Sequence, residues 1–253
     1  RSENTMAAFR LGAEHGFAMF ECDVKLSADG EPFLLHDTEL DRTTNGLGEA
    51  GLQTWDALSR LDAGSWHGRP YAGEPLLRLE ALARWLQALG MMVNLEIKPT
   101  PGDEVRTGRV VAQHVARLWS LAHVKPLLSS FSAVALEAAR QTQPDLPRAL
   151  LQDEWADDSI KTAVRLGCLA LVVNHTHLNA ERIAAIHDLS GLGKCSLTVA
   201  LPVISATGVE CACIPTAVLS THTGEFTGWT FRDLSDDMLP IAHHWQRIGV
   251  RIE

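Results

Sequence analysis

Short apolar runs alternate with amphipathic segments along roughly the first 190 residues of this chain. The apolar runs have the length of buried strands, and the segments between them carry apolar residues at helical spacing. Parallel strands need a long crossover between them, usually a helix, so the alternation predicts parallel βαβ units. The predicted strands cover residues 17–26, 31–37, 91–99, 126–132, 147–152 and 168–174, and the predicted helices cover residues 4–16, 77–89, 105–120, 133–141 and 160–166.

The length of the chain matches one architecture of this class. Its 253 residues, 46% of them hydrophobic, match the roughly 250 residues that are typical of a TIM (β/α)₈ barrel. We therefore predict an α/β barrel domain over residues 1–190, whose first helix has Asn4 as its N-cap and ends at Gly16. From Gly191 the alternation is lost among β-branched residues, glycines and prolines, so residues 191–253 are predicted to form an atypical C-terminal segment.

Charge and composition exclude several classes of partner. A formal net charge of -9 argues against nucleic acid, whose phosphates are bound through lysine and arginine. The chain has no run of about 20 apolar residues, so no membrane span is predicted, and no basic and then apolar leader opens the sequence. An odd set of cysteines without the spacing of a disulfide framework indicates reduced thiols and a cytoplasmic protein. These cysteines are Cys22, Cys168, Cys195, Cys211 and Cys213.

Two pairs of polar residues stand at the ends of predicted strands. Glu21 and Asp23 are two residues apart, so their side chains point to the same face of one strand. Their mutual repulsion would be relieved by a hard divalent cation. Glu96 and Lys98 repeat the spacing on a later strand, where Glu96 could complete the oxygen ligands and Lys98 could neutralise a phosphate oxygen. The alternative is that the acids are solvated and that the later pair forms a surface salt bridge.

His36 ends the second predicted strand, and Asp37 follows it. An imidazole with an ordinary pKa near 6.5 can give or take a proton at neutral pH, and Asp37 could orient it. Taken alone, His36 could equally be a surface histidine in a turn. Barrel enzymes place their sites at the carboxyl ends of the strands, where all the candidates would converge. A phosphodiester anion could approach three carboxylates only through a bound cation, so the set predicts metal-assisted phosphodiester hydrolysis.

Two other groups of residues give weaker functional signals. Cys211 and Cys213 have no second pair of ligands, so a zinc site is not expected there. Trp66 is interpreted as a core or pocket-wall residue rather than a recognition group.

Long stretches of the sequence resemble the glycerophosphodiester phosphodiesterase family, in particular cytosolic bacterial members associated with glycerol-phosphate uptake. The matching stretches are ENTMAAF, ECDVKLSADGEPFLLHDTELDRTTNG, LDAGSW, GMMVNLEIKPT, PLLSSF and PDLPRALLQDEW, which span residue 1 to about residue 190. The resemblance implies a TIM barrel that uses Mg²⁺ or Ca²⁺. It also implies a small-molecule substrate, a glycerophosphodiester, cleaved to glycerol 3-phosphate and an alcohol.

The resemblance also assigns roles to residues. It implies that Glu21, Asp23 and Glu96 are the metal ligands, that His36 is an acid/base histidine and that Lys98 contacts the substrate phosphate. Family members carry a His-Arg-Gly strand before the ENT motif, with a second acid/base histidine and a phosphate-binding arginine, and the sequence begins after that position. An incomplete barrel without the first strand is therefore expected. A barrel remnant that binds metal and phosphate without turnover remains the alternative, and a phospholipase on the same scaffold is a third.

The C-terminal segment departs from the family pattern. Strands ending in Tyr-Thr or Trp-Thr and in Thr-Asp are expected there, whereas the chain has KCSLT and GVECACIPT. Codons for these stretches, translated in a neighbouring frame, can encode both expected strand types. We therefore hypothesise that residues from about 192 onward are a frame-shifted translation. The sequence leaves the oligomeric state and the preferred headgroup open.

Overall fold

A computed structural model of the chain describes residues 2–154, 156, 158–174, 182–191, 197, 201, 210–221 and 227–250. Two compact units are present, Arg1–Asn174 and His175–Glu253. The predicted domain boundary at residue 190 stays a prediction. Cys195 lies outside the described residues, as do parts of the stretch assigned to a frame shift, namely residues 192–196, 198–200, 202–209, 222–226 and 251–253.

The first unit consists of alternating strands and helices. Its strands are β1 (Met19–Leu26), β2 (Pro32–Leu34), β3 (Met92–Ile97), β4 (Leu127–Ser130), β5 (Arg148–Gln152) and β6 (Ala170–Val173). Its α-helices are α1 (Met6–Glu14), α2 (Trp55–Leu58), α3 (Leu79–Ala88), α4 (Glu104–Leu118), α5 (Ala133–Thr142) and α6 (Ser159–Arg165). Three short 3₁₀ helices, Ala50–Leu52, Ser65–His67 and Arg69–Tyr71, lie in the long connection between β2 and α3. Each strand and helix predicted in this part of the sequence is present.

The strands of the first unit form one open sheet with the order β2-β1-β3-β4-β5-β6. Strands β1, β3, β4, β5 and β6 run parallel, and β2 pairs antiparallel to β1 as a hairpin. Within the described residues the sheet does not close into a barrel. Parallel strands joined by helices are the arrangement that the alternating sequence predicted.

One face of the sheet forms the hydrophobic core with the helices. Val93, Leu95 and Ile97 of β3 are buried in this core, and the residues between them project from the opposite face. The helices contribute apolar residues four positions apart, which lie on one helical face. These pairs are Leu82 and Leu86, Val111 and Val115, and Ala135 and Ala139. The other face of the sheet is therefore free to carry polar groups.

The start of α1 differs from the sequence prediction. The helix begins at Met6 with Thr5 in the N-cap position, so the prediction of Asn4 as the N-cap was wrong. Asn4 has a φ of 55°, a left-handed conformation that asparagine tolerates better than most residues. Gly16, with a φ of 86°, follows the helix as predicted.

The second unit contains a small sheet and one helix. Strands β7 (Arg182–Ser190), β8 (Glu210–Leu219) and β9 (Phe231–Asp233) have the order β7-β8-β9, and helix α7 covers Ser235–Arg247. Pro215 in β8 has no N–H for the ladder, and the register shifts beside its partner His187. The sequence pattern did not identify β7 or β8. In the described residues no helix is long and apolar enough to cross a membrane.

Truncation of the β3 core should destabilise the first unit. Leu95 is 0% exposed, so Leu95→Ala should lower the free energy of unfolding by about 2–5 kcal/mol, through lost apolar burial and a residual cavity. Leu121 is 95% exposed, and Leu121→Ala should change the same quantity by less than about 0.5 kcal/mol. Urea unfolding followed by circular dichroism measures both. Equal losses in the two variants would contradict this core.

Candidate functional site

Three carboxylates meet on the polar face of neighbouring strands. Strands β1 and β3 are in a parallel register that pairs Glu21 with Asn94 and Asp23 with Glu96. Because side chains two residues apart share a face, this register brings Glu21, Asp23 and Glu96 together. One oxygen atom from each lies within 4.8 Å of the others. We call these three residues the acid cluster.

Proximity and loss of water change the ionisation of the acid cluster. Glu21 is an exposed residue whose carboxyl group is partly buried. This burial, followed by the charges of Asp23 and Glu96, raises its pKa to about 7. Burial also raises the pKa of Glu96, against the opposing effect of Lys98. The cluster therefore holds a proton more readily at neutral pH than three isolated carboxylates would.

Lys98 faces the acid cluster. Its Nζ is 3.4 Å from Asp23 Oδ1 and 3.4 Å from Glu96 Oε1. Its backbone N–H donates to the carbonyl of Val24 at 2.9 Å, which extends the β3 pairing with β1. The sequence placed Lys98 on this face, and the structure puts its ammonium group against two of the three acids.

Asn4 supports Asp23 from outside the sheet. Its Nδ2 donates to Asp23 Oδ2 at 2.8 Å, and the backbone N–H of Asp23 donates to Asn4 Oδ1 at 3.2 Å. The nitrogen and the oxygen of the Asn4 side-chain amide therefore both bind Asp23. Sequence reasoning missed this contact because it assigned Asn4 to a helix cap.

Lys25 is a second residue that sequence reasoning missed. It follows Asp23 by two positions on β1, so it shares the face of the acid cluster, and it is 1% exposed. Burial, followed by the charge of Lys98, lowers its pKa to about 8. Its Nζ donates to the backbone carbonyl of Lys98 at 3.3 Å. The same two-residue spacing that identified Glu21 and Asp23 extends to Lys25 and could have found it.

His36 lies just beyond the end of β2, on the hairpin partner of β1. Its Nδ1 is 2.6 Å from Asp37 Oδ1. A hydrogen bond from Arg42 holds the pKa of Asp37 well below its usual range, so Asp37 is a permanent acceptor. A neutral His36 ring that donates through Nδ1 has Nε2 as its acceptor nitrogen.

A cavity of about 330 Å³ links His36 to two members of the acid cluster. Glu21, Asp23 and His36 line it together with Glu3, Asn4, Ala8, Phe9 and Phe20. Glu96 and Lys98 adjoin Asp23 without lining the cavity. All five residues singled out in the sequence therefore lie in one region of the first unit.

The acid cluster is chemically suited to a hard divalent cation. Carboxylate oxygens are the ligands that such ions prefer, and three of them are already close together. Asp23 and Glu96 are buried, so an unneutralised pair of charges is costly there. Lys98 supplies only one positive charge to the two.

A family model described as "Glycerophosphoryl diester phosphodiesterase family" matches residues 1–193 of the chain. YhdW of Bacillus subtilis, whose name assigns it provisionally to the glycerophosphodiester phosphodiesterases, is 32% identical over 78% of this chain and 80% of its own length. A glycerophosphodiester phosphodiesterase of Caldanaerobacter subterraneus subsp. tengcongensis is 32% identical over 59% of this chain and 60% of its own length.

A solved structure shares the fold. It is a phosphodiesterase of Oleispira antarctica in complex with the product sn-glycerol-3-phosphate, with a TM-score of 0.66 and 27% sequence identity. The match covers 84% of this chain and 78% of that protein. Together with the parallel βα order, the likeness confirms the predicted α/β fold of the TIM-barrel type, which forms an open sheet within the described residues.

Cation binding to the acid cluster should be linked to protons. Because Glu21 has a pKa of about 7 and that of Glu96 is also raised, protons compete with a cation for these oxygens. Below about pH 7 the dissociation constant for Ca²⁺ should rise by about tenfold or more per pH unit. Isothermal titration calorimetry between about pH 5 and 8 measures this dependence.

Two variants test whether the calorimetry reports on the acid cluster. Glu21→Gln should weaken binding and flatten the pH dependence, because it removes the competing proton site. Asp56 belongs to an exposed ion pair with Arg60, and Asp56→Asn should leave the affinity unchanged. A dissociation constant that does not vary with pH would contradict the assignment of the cation to this cluster.

Proposed function

The chain belongs to the glycerophosphoryl diester phosphodiesterase family, a class of phosphodiester hydrolases, and from this premise we propose that it hydrolyses glycerophosphodiesters to glycerol 3-phosphate and an alcohol. The observation that carries the proposal is the acid cluster, two of whose members, Glu21 and Asp23, line one cavity with His36. Carboxylates for a cation and an imidazole for proton transfer are what cleavage of a phosphodiester requires. The small volume of the cavity suits a small substrate.

We propose that Glu21, Asp23 and Glu96 hold Mg²⁺ or Ca²⁺. When bound, such an ion polarises the phosphoryl group and offsets its charge as the reaction proceeds. Burial, followed by repulsion between the carboxylates, raises the pKa values of Glu21 and Glu96; a bound cation would oppose both effects and make the ionised form the stable one.

Lys98 is proposed as a contact to a non-bridging phosphate oxygen. Its ammonium group sits 3.4 Å from both Asp23 and Glu96, so it is held at the edge of the acid cluster. An anion that approaches the cluster meets a positive charge already in place. This arrangement lowers the electrostatic cost of bringing a phosphodiester to a negatively charged face.

His36 is proposed as the acid/base group. With the Nδ1–H donating to Asp37, a proton carried on Nε2 can pass to the oxygen of the leaving alcohol as its P–O bond breaks and water bonds to phosphorus. The attacking water releases a proton to solvent, from which the neutral ring regains its own. Asp37 stays ionised beside Arg42, so it remains an acceptor for the Nδ1–H and fixes the orientation of the ring.

A cytoplasmic location stays a proposal. It is supported by the cysteines: Cys22, Cys168, Cys211 and Cys213, the four within the described residues, form no disulfide bond.

Turnover of a simple glycerophosphodiester tests the proposed function. The chain is incubated with glycerophosphocholine and Mg²⁺ or Ca²⁺, and glycerol 3-phosphate is detected with a coupled dehydrogenase. We expect turnover that EDTA abolishes. His36→Ala should lower kcat by about 10²–10⁴-fold, because one acid/base group is lost.

The exposed His123 provides a matched control, and His123→Ala should keep full activity. Full activity of His36→Ala, or activity that survives EDTA, would refute the proposed roles. Cation binding by the acid cluster without any turnover would instead support the alternative, a barrel remnant that binds metal and phosphate only.

A further inference from the structure

Two charged residues outside the proposed catalytic set are arranged around Asp37. We propose that Glu3 and Arg42 are positioning residues, which hold Asp37 and through it His36, and that residues 2–5 thereby support His36 and Asp23 from one short segment. The inference rests on the proposed function, because it takes His36 as the acid/base group. It adds two residues outside the acid cluster that act on His36 through Asp37.

Arg42 lies between two carboxylates and contacts both in a forked manner. Its Nε and Nη2 donate to the two oxygens of Asp37 at 2.5 and 3.0 Å. Its Nη2 and Nη1 donate to the two oxygens of Glu3 at 2.5 and 3.3 Å. A planar guanidinium held at four points has little freedom to rotate, so it fixes the plane of the Asp37 carboxylate. Since Asp37 accepts from His36 Nδ1, the orientation of the ring follows.

Stability alone does not account for this network. The side chains of Arg42 and Glu3 are 47% and 42% exposed, and ion pairs at such positions contribute little to folding. What a bidentate network does supply is geometry. Geometry matters here because a proton is transferred only when the ring nitrogen lies within hydrogen-bond reach of the reacting oxygen.

The segment that carries Glu3 is itself anchored. Ser2 and Thr5 are each 1% exposed, and Thr5 Oγ1 donates to the Ser2 carbonyl at 2.7 Å. Ser2 Oγ donates to the Ala63 carbonyl at 2.5 Å, and Trp66 Nε1 donates to Ser2 Oγ at 2.8 Å. Residues 2–5 are therefore bound to the connection between β2 and α3 rather than extending freely from α1.

Asn4 shows that this segment is held in a specific conformation. Among the described residues it is the one non-glycine residue with a positive φ, 55°. Such a conformation persists when its surroundings enforce it, and both ends of the Asn4 amide are bound to Asp23. Two consecutive residues thus reach the two halves of the site, Asn4 to Asp23 directly and Glu3 to His36 through Arg42 and Asp37.

A double-mutant cycle on kcat tests the positioning role. Arg42→Gln should lower kcat by about tenfold and leave KM within about twofold, since supporting residues of this kind are worth about 10–100-fold in activity. Asp37→Asn should lower kcat by about 10–100-fold. The double variant should be no slower than Asp37→Asn alone, because Arg42 acts through Asp37. Losses that multiply in the double variant would overturn the proposal.

Matched controls separate positioning from charge and from folding. Arg84 pairs with Glu80 on the surface of α3, and Arg84→Gln should keep full activity. Arg42→Lys keeps the charge but loses the fork, so it should show the deficit of Arg42→Gln, and full activity would contradict the geometric argument. Glu3→Gln weakens the contact between Arg42 and Glu3 and leaves Asp37 unaltered. This variant replaces Arg42→Gln in the test if Arg42→Gln does not fold.

Nuclear magnetic resonance of ¹⁵N-histidine tests the same contact without turnover. The His36 signals are assigned with His36→Ala, and the neutral ring should carry its proton on Nδ1 in the unaltered chain. Arg42→Gln and Glu3→Gln should increase the Nε2–H tautomer, and unchanged tautomer populations would overturn the proposal. A shifted tautomer in a chain without turnover would support the contact and refute the proposed function, so the two failures are distinguishable.

Discussion

Electrostatic repulsion among three carboxylates on adjacent strands is the constraint on which the site depends. The two-residue period of β1 and its register with β3 force Glu21, Asp23 and Glu96 onto one face. Nothing in the backbone can relieve this crowding, because shifting either strand by one residue would bring the core residues to the polar face. The relief comes from side chains: Lys98 offers charge and Asn4 offers hydrogen bonds. Burial, followed by the charges of the neighbouring carboxylates, still raises the pKa values of Glu21 and Glu96, and a divalent cation would stabilise their ionised forms.

Side chains alternate between the two faces of a strand, and this alternation lets one sheet form the hydrophobic core and carry the site. Cys22, Val24 and Leu26 of β1 are part of the hydrophobic core with the helices, whereas Asp23 and Lys25 between them face the site. Burying the core residues therefore fixes the positions of the acids without any separate element. The hairpin between β1 and β2 positions the imidazole. It returns the chain beside β1 and places His36 on the cavity that Glu21 and Asp23 line.

The parts of this structure that depend on short-range periodicity could be predicted from the sequence. The strands and helices up to Val173 and the shared face of Glu21 and Asp23 are examples, because each is encoded within a few neighbouring residues. Contacts between distant positions could not be predicted in this way. Asn4 contacts Asp23 across 19 positions and Arg42 contacts Glu3 across 39, and no local pattern encodes either. Asn4 was misassigned for that reason, since an asparagine before an apolar run also fits a helix N-cap. Strand β8 was missed because Pro215 interrupts its pattern.

The residues that support Asp23 and those that support His36 differ in the property that their removal would change. Asp23 is buried, so removing a hydrogen bond from it leaves Lys98 to offset its charge, and folding and cation binding would both respond. Asp37 and Arg42 stand near solvent, where water replaces lost partners at little cost, so orientation rather than stability would respond. Glu3 and Asn4 are adjacent in the chain, yet each is tied to a different one of these environments. A displacement of residues 2–5 would therefore disturb acid cluster and imidazole together, which makes the segment a structural link between the cation ligands and the proton donor.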